Sequence, residues 1–257
     1  MANTDSLPSE WEAPPPSLSL PPDEVQVWAI PLDQSPLMVS AMVRWLSPVE
    51  RTRAGRFHSL EDCKHYVIAH GVLREVLGRY LKHAPSDVLL CTLPNGKPVL
   101  APELNDVQLE FNLSHSHELA LIAVSRERRL GIDVERIRAV LDGKVIAARF
   151  FAPGETATLS ALPERLQLEA FFACWTRKEA YIKARGEGLR ISLDTFAVAV
   201  APGQSPGLLY DVADPQAVSR WSLHSLDVGA AYVASLAVEG QDWRLRHWLW
   251  QARTRPG

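Results

Sequence analysis

The segment Leu130-Gly131-Ile132-Asp133-Val134-Glu135-Arg136 constrains this chain more than any other. Apolar and acidic residues alternate along it, which is the period of a half-buried β-strand. Successive strand side chains point to opposite faces. Ile132 and Val134 therefore turn to the core while Asp133 and Glu135 share the other face. Two carboxylates on one face repel each other unless a cation lies between them. Downstream, Trp175-Thr176-Arg177-Lys178-Glu179-Ala180-Tyr181-Ile182-Lys183 reads as helix, with Glu179 and Lys183 four apart on one face. A third carboxylate and an amine can thus be brought up to the strand pair. Three carboxylates make a hard oxygen site of the kind Mg²⁺ uses, completed by water and substrate phosphate. The pattern points to phosphate chemistry.

At 257 residues the chain has room for one large domain or two small ones. Its net charge of −3 speaks against a nucleic-acid binder driven by phosphate neutralisation. Cys63, Cys91 and Cys174 have no metal-ligand spacing and form no even disulfide set, which favours a reducing, cytoplasmic compartment. No apolar run is long enough to span a bilayer. Met1–Ser6 has neither the positive nor the apolar region of a signal peptide. The expectation is a cytoplasmic protein without membrane or nucleic-acid partners.

The first 22 residues, rich in Pro and Ser, read as a surface tail, partly disordered, whose Trp11, Leu18 and Leu20 are able to dock on the body. Val25 to Ile30 reads as a strand. Ser47-Pro48-Val49-Glu50 is a helix start with a capping box. Leu60 to Leu81 is a long helix with an apolar stripe of Tyr66, Ile68, Val72, Leu73, Val76 and Leu77. Asn95-Gly96 marks a turn. Strands are expected at Phe111 to Leu113, Leu119 to Ser125 and Leu130 to Glu135. Helices follow from about Leu141 to Ala184, restarted at Pro153 and Pro163 and ended by Gly186 and Gly188. Four more strands read at Thr195 to Val200, Trp221 to Leu226, Tyr232 to Val238 and Trp243 to Trp250. Helices then strands, twice over, predict an α+β fold of two similar halves, residues 23–128 and 129–257.

Taken alone, Asp-x-Glu on a strand is usually a solvated face, and Glu179/Lys183 a surface helix pair worth tenths of a kcal/mol. Together they form a longer pattern. Gly-Ile-Asp-Val-Glu followed by Trp-Thr-Arg-Lys-Glu-Ala-Tyr-Ile-Lys resembles the two-part signature of the 4′-phosphopantetheinyl transferases of the Sfp type. Asn95-Gly96-Lys97-Pro98, Phe111-Asn112-Leu113-Ser114-His115-Ser116, Arg149-Phe150-Phe151-Ala152-Pro153-Gly154-Glu155 and Gly186-Glu187-Gly188-Leu189 resemble further motifs of that family, so that the likeness runs from about Arg51 to Ala199.

The resemblance implies transfer of 4′-phosphopantetheine from coenzyme A to a serine of an acyl, peptidyl or aryl carrier protein, with release of adenosine 3′,5′-bisphosphate. It implies Mg²⁺, or Mn²⁺, on Asp133, Glu135 and Glu179. It assigns Glu179 as base, Lys183 as the group that contacts the α-phosphate and protonates the leaving oxygen, and Glu155 as a residue near the metal and serine. Lys97, Ser114, His115, Lys178 and Lys183 would contact coenzyme A. Arg51, Arg53, Arg56, Lys64 and His65 lie where the family supplies cations for the 3′-phosphate. Lys64-His65 departs from the usual His-Arg pair there. The family also implies pseudo-twofold symmetry, an active site in the cleft between the halves, and a monomer, since both halves are fused here. Two other readings use the same residues: a metal-dependent nuclease or phosphodiesterase, and a non-catalytic module that binds carrier proteins. The net charge and the Asn-Leu-Ser-His-Ser strand count against the first, the intact carboxylates and Lys183 against the second.

Overall fold

The computed structural model describes residues 7–8, 10–94, 96–139, 143–188 and 191–252. Asn95, Leu141, Leu189 and Met1–Ser6, which figured in the expectations above, lie outside the described residues.

The fold is mixed α+β and is built on two larger sheets. The first contains β1 (Glu24–Pro31), β4 (Leu109–Ser116), β5 (Leu119–Arg126) and β11 (Arg244–Leu249), in the order β11-β1-β5-β4. The second contains β6 (Leu130–Arg136), β9 (Trp221–Leu226) and β10 (Tyr232–Glu239), in the order β6-β10-β9. Two short hairpins, β2 (Leu90–Thr92) with β3 (Pro98–Leu100) and β7 (Phe196–Val198) with β8 (Leu208–Asp211), complete the strands. The helices are α1 (Pro36–Trp45), α2 (Pro48–Ala54), α3 (Leu60–Leu81), α4 (Gly143–Phe150), α5 (Pro153–Ala161), α6 (Glu164–Arg185) and α7 (Ala217–Arg220).

Strand alternation explains how these pieces pack. On β1, Trp28 and Ile30 face the apolar stripe of α3, joined by Ile122 and Val124 of β5. The intervening residues Val25, Val27 and Ala29 face the other way, as do Leu121 and Ala123. They share a core with Ile132, Val134, Ala234 and Leu236 of the second sheet. The far side of the second sheet carries α6, whose Tyr181 and Cys174 pack with Phe196, Trp221 and Ala237. Thus a long helix covers the outside of each sheet, and the alternation in Leu130–Arg136 turns Asp133 and Glu135 towards α6.

The expected strands and long helices form, and β2, β3, β8 and α7 are additional to them. Strand β11, read as part of the second half, pairs in parallel with β1 in the first sheet. Periodicity identifies a strand but not its partner. The proline-rich segment is docked where it is described: Trp11 is buried, its indole N–H donates to the Asp227 carbonyl at 2.7 Å, and Glu12 bridges to Trp248 on β11. Prolines exclude regular structure here without preventing a large aromatic side chain from burying itself. Helix α1 was unforeseen, although Ser35 caps it and Pro36 opens it.

Helix α6 lies directly on β6. A Cβ placed on Gly131 would stand 2.2 Å from the Ala180 carbonyl oxygen and 2.3 Å from the Ala184 nitrogen. Only glycine permits this approach, and the small residues Ala180 and Ala184 meet it from the helix side. Residue Thr176 adds a buried contact between hydroxyls, 2.9 Å from Ser235 on β10. We expect Gly131→Ala to destabilise the protein by about 1–3 kcal/mol through overpacking, lowering the thermal midpoint by several degrees. A midpoint equal to the parent's would show that α6 is free to move away.

Candidate active site

Asp133, Ser114 and Lys183 meet where β4, β6 and α6 come together. The Lys183 ammonium donates to Asp133 Oδ1 at 2.6 Å, to Ser114 Oγ at 3.1 Å and to the Ile132 carbonyl at 3.3 Å. The Ser114 hydroxyl donates to Asp133 Oδ1 at 2.8 Å. Asp133 is buried, and its second oxygen, Oδ2, has no hydrogen-bond partner. A buried carboxylate oxygen without a partner is costly unless a cation or donor reaches it.

Glu135 and Glu179 flank this group, and both are half-buried. The Glu135 carboxylate accepts from the Ser116 hydroxyl at 2.9 Å. Burial raises its pKa above the ordinary range, and the negative charge of Asp133 adds to the effect. The Glu179 carboxyl is raised for the same two reasons, against an opposing pull from Lys183. The three carboxylates expected to form one oxygen cage are therefore electrostatic neighbours. Among the described residues, however, no three His, Cys, Asp or Glu side chains are arranged as a metal site. Lys183 neutralises Asp133 instead.

A row of side chains on β4 positions β6. Asn112 Oδ1 accepts from the Ile132 N–H at 2.9 Å, Ser114 Oγ from Val134 N–H at 3.4 Å, and Ser116 Oγ from Arg136 N–H at 3.1 Å. These are alternate residues on one face of β4, meeting alternate N–H groups on the free edge of β6. Roles for Asn112 and Ser116 were not foreseen. The signal was present: polar residues at every second position of an otherwise apolar strand require partners when buried.

His115 stands on the opposite face of β4 from Ser114, with its ring accessible. Local desolvation lowers its pKa, and His70, His65 and Lys183 lower it further. Of the basic residues assigned to the 3′-phosphate, His65 is buried on α3, and Lys64 pairs with Asp33 at 3.0 Å. Arg51 donates to the Leu46 carbonyl at 2.6 Å. Exposed Arg56 and Arg53 line an open recess of about 630 Å³ with Val49, Thr52 and Phe57. The Arg53 guanidinium also lies 5.7 Å from the centre of the Tyr66 ring.

Three of the assigned residues are bound up in the packing. Glu155 and Lys178 form a 2.8 Å ion pair with almost no solvent exposure. Glu155 also accepts from the Ala152 and Val198 N–H groups at 2.8 and 2.7 Å. Lys178 donates to the Leu193 and Phe196 carbonyls, both at 2.7 Å, and burial lowers its pKa. Both charges are held inside the protein, joining α5 and α6 to β7. The third is Lys97, which is half-buried. Its ammonium donates to the Lys183 carbonyl at 3.0 Å and the Leu130 carbonyl at 3.3 Å.

Residues 129–237 match a family model described as the 4′-phosphopantetheinyl transferase superfamily, and residues 33–127 match one described as 4′-phosphopantetheinyl transferase, N-terminal. The chain is 38% identical over 238 residues to the 4′-phosphopantetheinyl transferase HetI of Nostoc sp., covering 93% of this chain and 97% of that one. The chain belongs to the 4′-phosphopantetheinyl transferase superfamily. It is an enzyme of that class, with the two-domain organisation of the Sfp type. It is also 33% identical over 154 residues to the 4′-phosphopantetheinyl transferase Sfp of Bacillus subtilis, covering 60% of this chain and 66% of that one. The putative 4′-phosphopantetheinyl transferase slr0495 of Synechocystis sp. is 29% identical over 203 residues, 78% of each chain.

The buried pair yields a prediction that separates structure from catalysis. Lys178→Met leaves Glu155 buried without its cation and should cost about 3–5 kcal/mol of stability, read by denaturant unfolding. A variant of unchanged stability but weakened coenzyme A binding would return Lys178 to the substrate site.

Proposed function

We propose that this enzyme transfers 4′-phosphopantetheine from coenzyme A to a serine of an apo acyl, peptidyl or aryl carrier protein, releasing adenosine 3′,5′-bisphosphate. The observation that carries this reading is the joined group of Asp133, Ser114 and Lys183, with Glu135 and Glu179 beside it. Family membership supports the reaction class.

Asp133 Oδ2 lacks a partner, and Glu135 and Glu179 are raised by burial and by the charge on Asp133. This donor set fits a divalent cation with oxygen preference, Mg²⁺ or Mn²⁺, held by Asp133, Glu135 and Glu179. When bound, such a cation supplies charge neutralisation and orientation of the pyrophosphate. The remaining steps belong to the chain. Glu179, made more basic by its surroundings, takes the proton of the carrier serine, directly or through water. The serine oxygen attacks the β-phosphorus of coenzyme A, forming the new phosphodiester as the bond to the leaving phosphate oxygen breaks. Lys183, freed from Asp133 as substrate charge arrives, offers its ammonium to that oxygen. Ser114 fixes Lys183 and Asp133 relative to each other before substrate binds. His115, exposed on β4, contacts the phosphates of coenzyme A, with Arg56, Lys64 and His65 as candidates for the 3′-phosphate.

In this reading the two halves, 23–128 and 129–257, are related by a pseudo-twofold axis, and the site occupies the cleft between them within a monomer. The unpaired cysteines Cys63, Cys91 and Cys174 support a reducing, cytoplasmic location. Among the described residues, no helix is long and apolar enough to cross a membrane.

The test is a mass measurement. Incubated with Mg²⁺, coenzyme A and a panel of apo carriers, the protein should add one phosphopantetheine to at least one carrier serine. Excess chelator, Asp133→Ala or Glu179→Ala should each reduce that addition by at least 100-fold while leaving the folded spectrum intact. Full turnover in chelator would sink the metal assignment. Cleavage of DNA with no carrier modified would favour the nuclease reading.

A further inference from the structure

We propose that Lys97 is a positioning residue for the transfer, acting as a staple that fixes the end of α6 against the start of β6. This rests on the transferase reading above and adds a residue to it whose role is indirect.

The last carbonyls of a helix have no donor within the helix and carry the negative end of its dipole. Lys183 lies in the last turn of α6, and its carbonyl is one of these groups. Lys97 Nζ donates to it at 3.0 Å, so a cation complements the helix terminus. The same ammonium donates to the Leu130 carbonyl at 3.3 Å, at the first residue of β6. Leu130 precedes Gly131, the point where α6 touches β6 most closely. The staple therefore acts next to the contact that sets the height of α6 above the strand.

Lys97 itself belongs to another part of the chain. It sits at the turn between β2 and β3, where its carbonyl accepts from the Leu93 N–H at 2.9 Å. The turn falls within the N-terminal family match, whereas Leu130 and Lys183 fall within the superfamily match. One side chain from the first region thus grips two elements of the second. Burial lowers the Lys97 pKa, and the nearby Glu110 carboxylate opposes that shift. The backbone that Lys97 holds is the backbone of Lys183, whose ammonium meets Asp133 at 2.6 Å on the other side. A shift of this turn by a fraction of an ångström would reposition the reacting groups without removing any of them.

The full-length protein is assayed as Lys97→Met, which keeps the aliphatic stem and removes every donor, and as Lys97→Arg. With a carrier that the parent modifies, Lys97→Met should lower kcat at least tenfold while KM for coenzyme A stays within about threefold. Lys97→Arg should recover kcat to within about threefold of the parent. Amide hydrogen exchange over residues 183–187 should quicken in Lys97→Met and return in Lys97→Arg. If Lys97→Met does not fold, Lys97→Gln replaces it with the same expected split. A large rise in KM with kcat unchanged would make Lys97 a coenzyme A contact and overturn the proposal. So would unchanged kcat or unchanged exchange. Exchange is read without substrate, so a parent that modifies no carrier would refute the function and still leave the staple measurable.

Discussion

The free edge of β6 is the constraint on which the rest of the site depends. An edge strand exposes N–H groups that would otherwise recruit another strand or demand water. Here Asn112, Ser114 and Ser116 satisfy them with side-chain oxygens. The two sheets are therefore joined at this edge by side chains and remain separate sheets. The same hydroxyls that accept from the strand donate to its carboxylates, Ser114 to Asp133 and Ser116 to Glu135. One row of small polar residues thus aligns the strand and aims its acids.

From the other side, α6 is held at a fixed height by the absence of a side chain at Gly131, by the Thr176–Ser235 contact and by Lys97. Lys183 against Asp133 and Lys178 against Glu155 show two uses of charge in one helix. Lys178 is closed off by carbonyls and by its acid, and strengthens the packing only as a complete set. Lys183, one turn later, remains partly exposed, with its ammonium on a carboxylate that has a second oxygen to offer. Two lysines five residues apart are distinguished by whether their surroundings are saturated.

Much of this was legible in the sequence, for definite reasons. Alternation in Leu130–Arg136 placed Asp133 and Glu135 on one face, and helical spacing placed Glu179 and Lys183 on another. The long helices and most strands followed from periodicity and capping. What was hidden depended on tertiary partners. The burial of Glu155 with Lys178 was hidden because motif proximity does not reveal it. The carbonyls that Lys97 meets were hidden because nothing local announces two distant acceptors. The parallel pairing of β11 with β1 and the Asp227 carbonyl on which Trp11 docks needed the whole fold. Asn112 and Ser116 are readable from their alternation as polar residues that need partners when buried.

In the proposed reading, Asp133 anchors a divalent cation at the junction of β4, β6 and α6. Mn²⁺ binding, followed by electron paramagnetic resonance of the free ion in the presence of coenzyme A and without a carrier, tests it independently of turnover. The account predicts stoichiometric binding by the parent protein and a loss of at least tenfold in affinity for Asp133→Asn, which keeps the shape of the side chain and removes its charge. Equal Mn²⁺ affinity in the two proteins would contradict it.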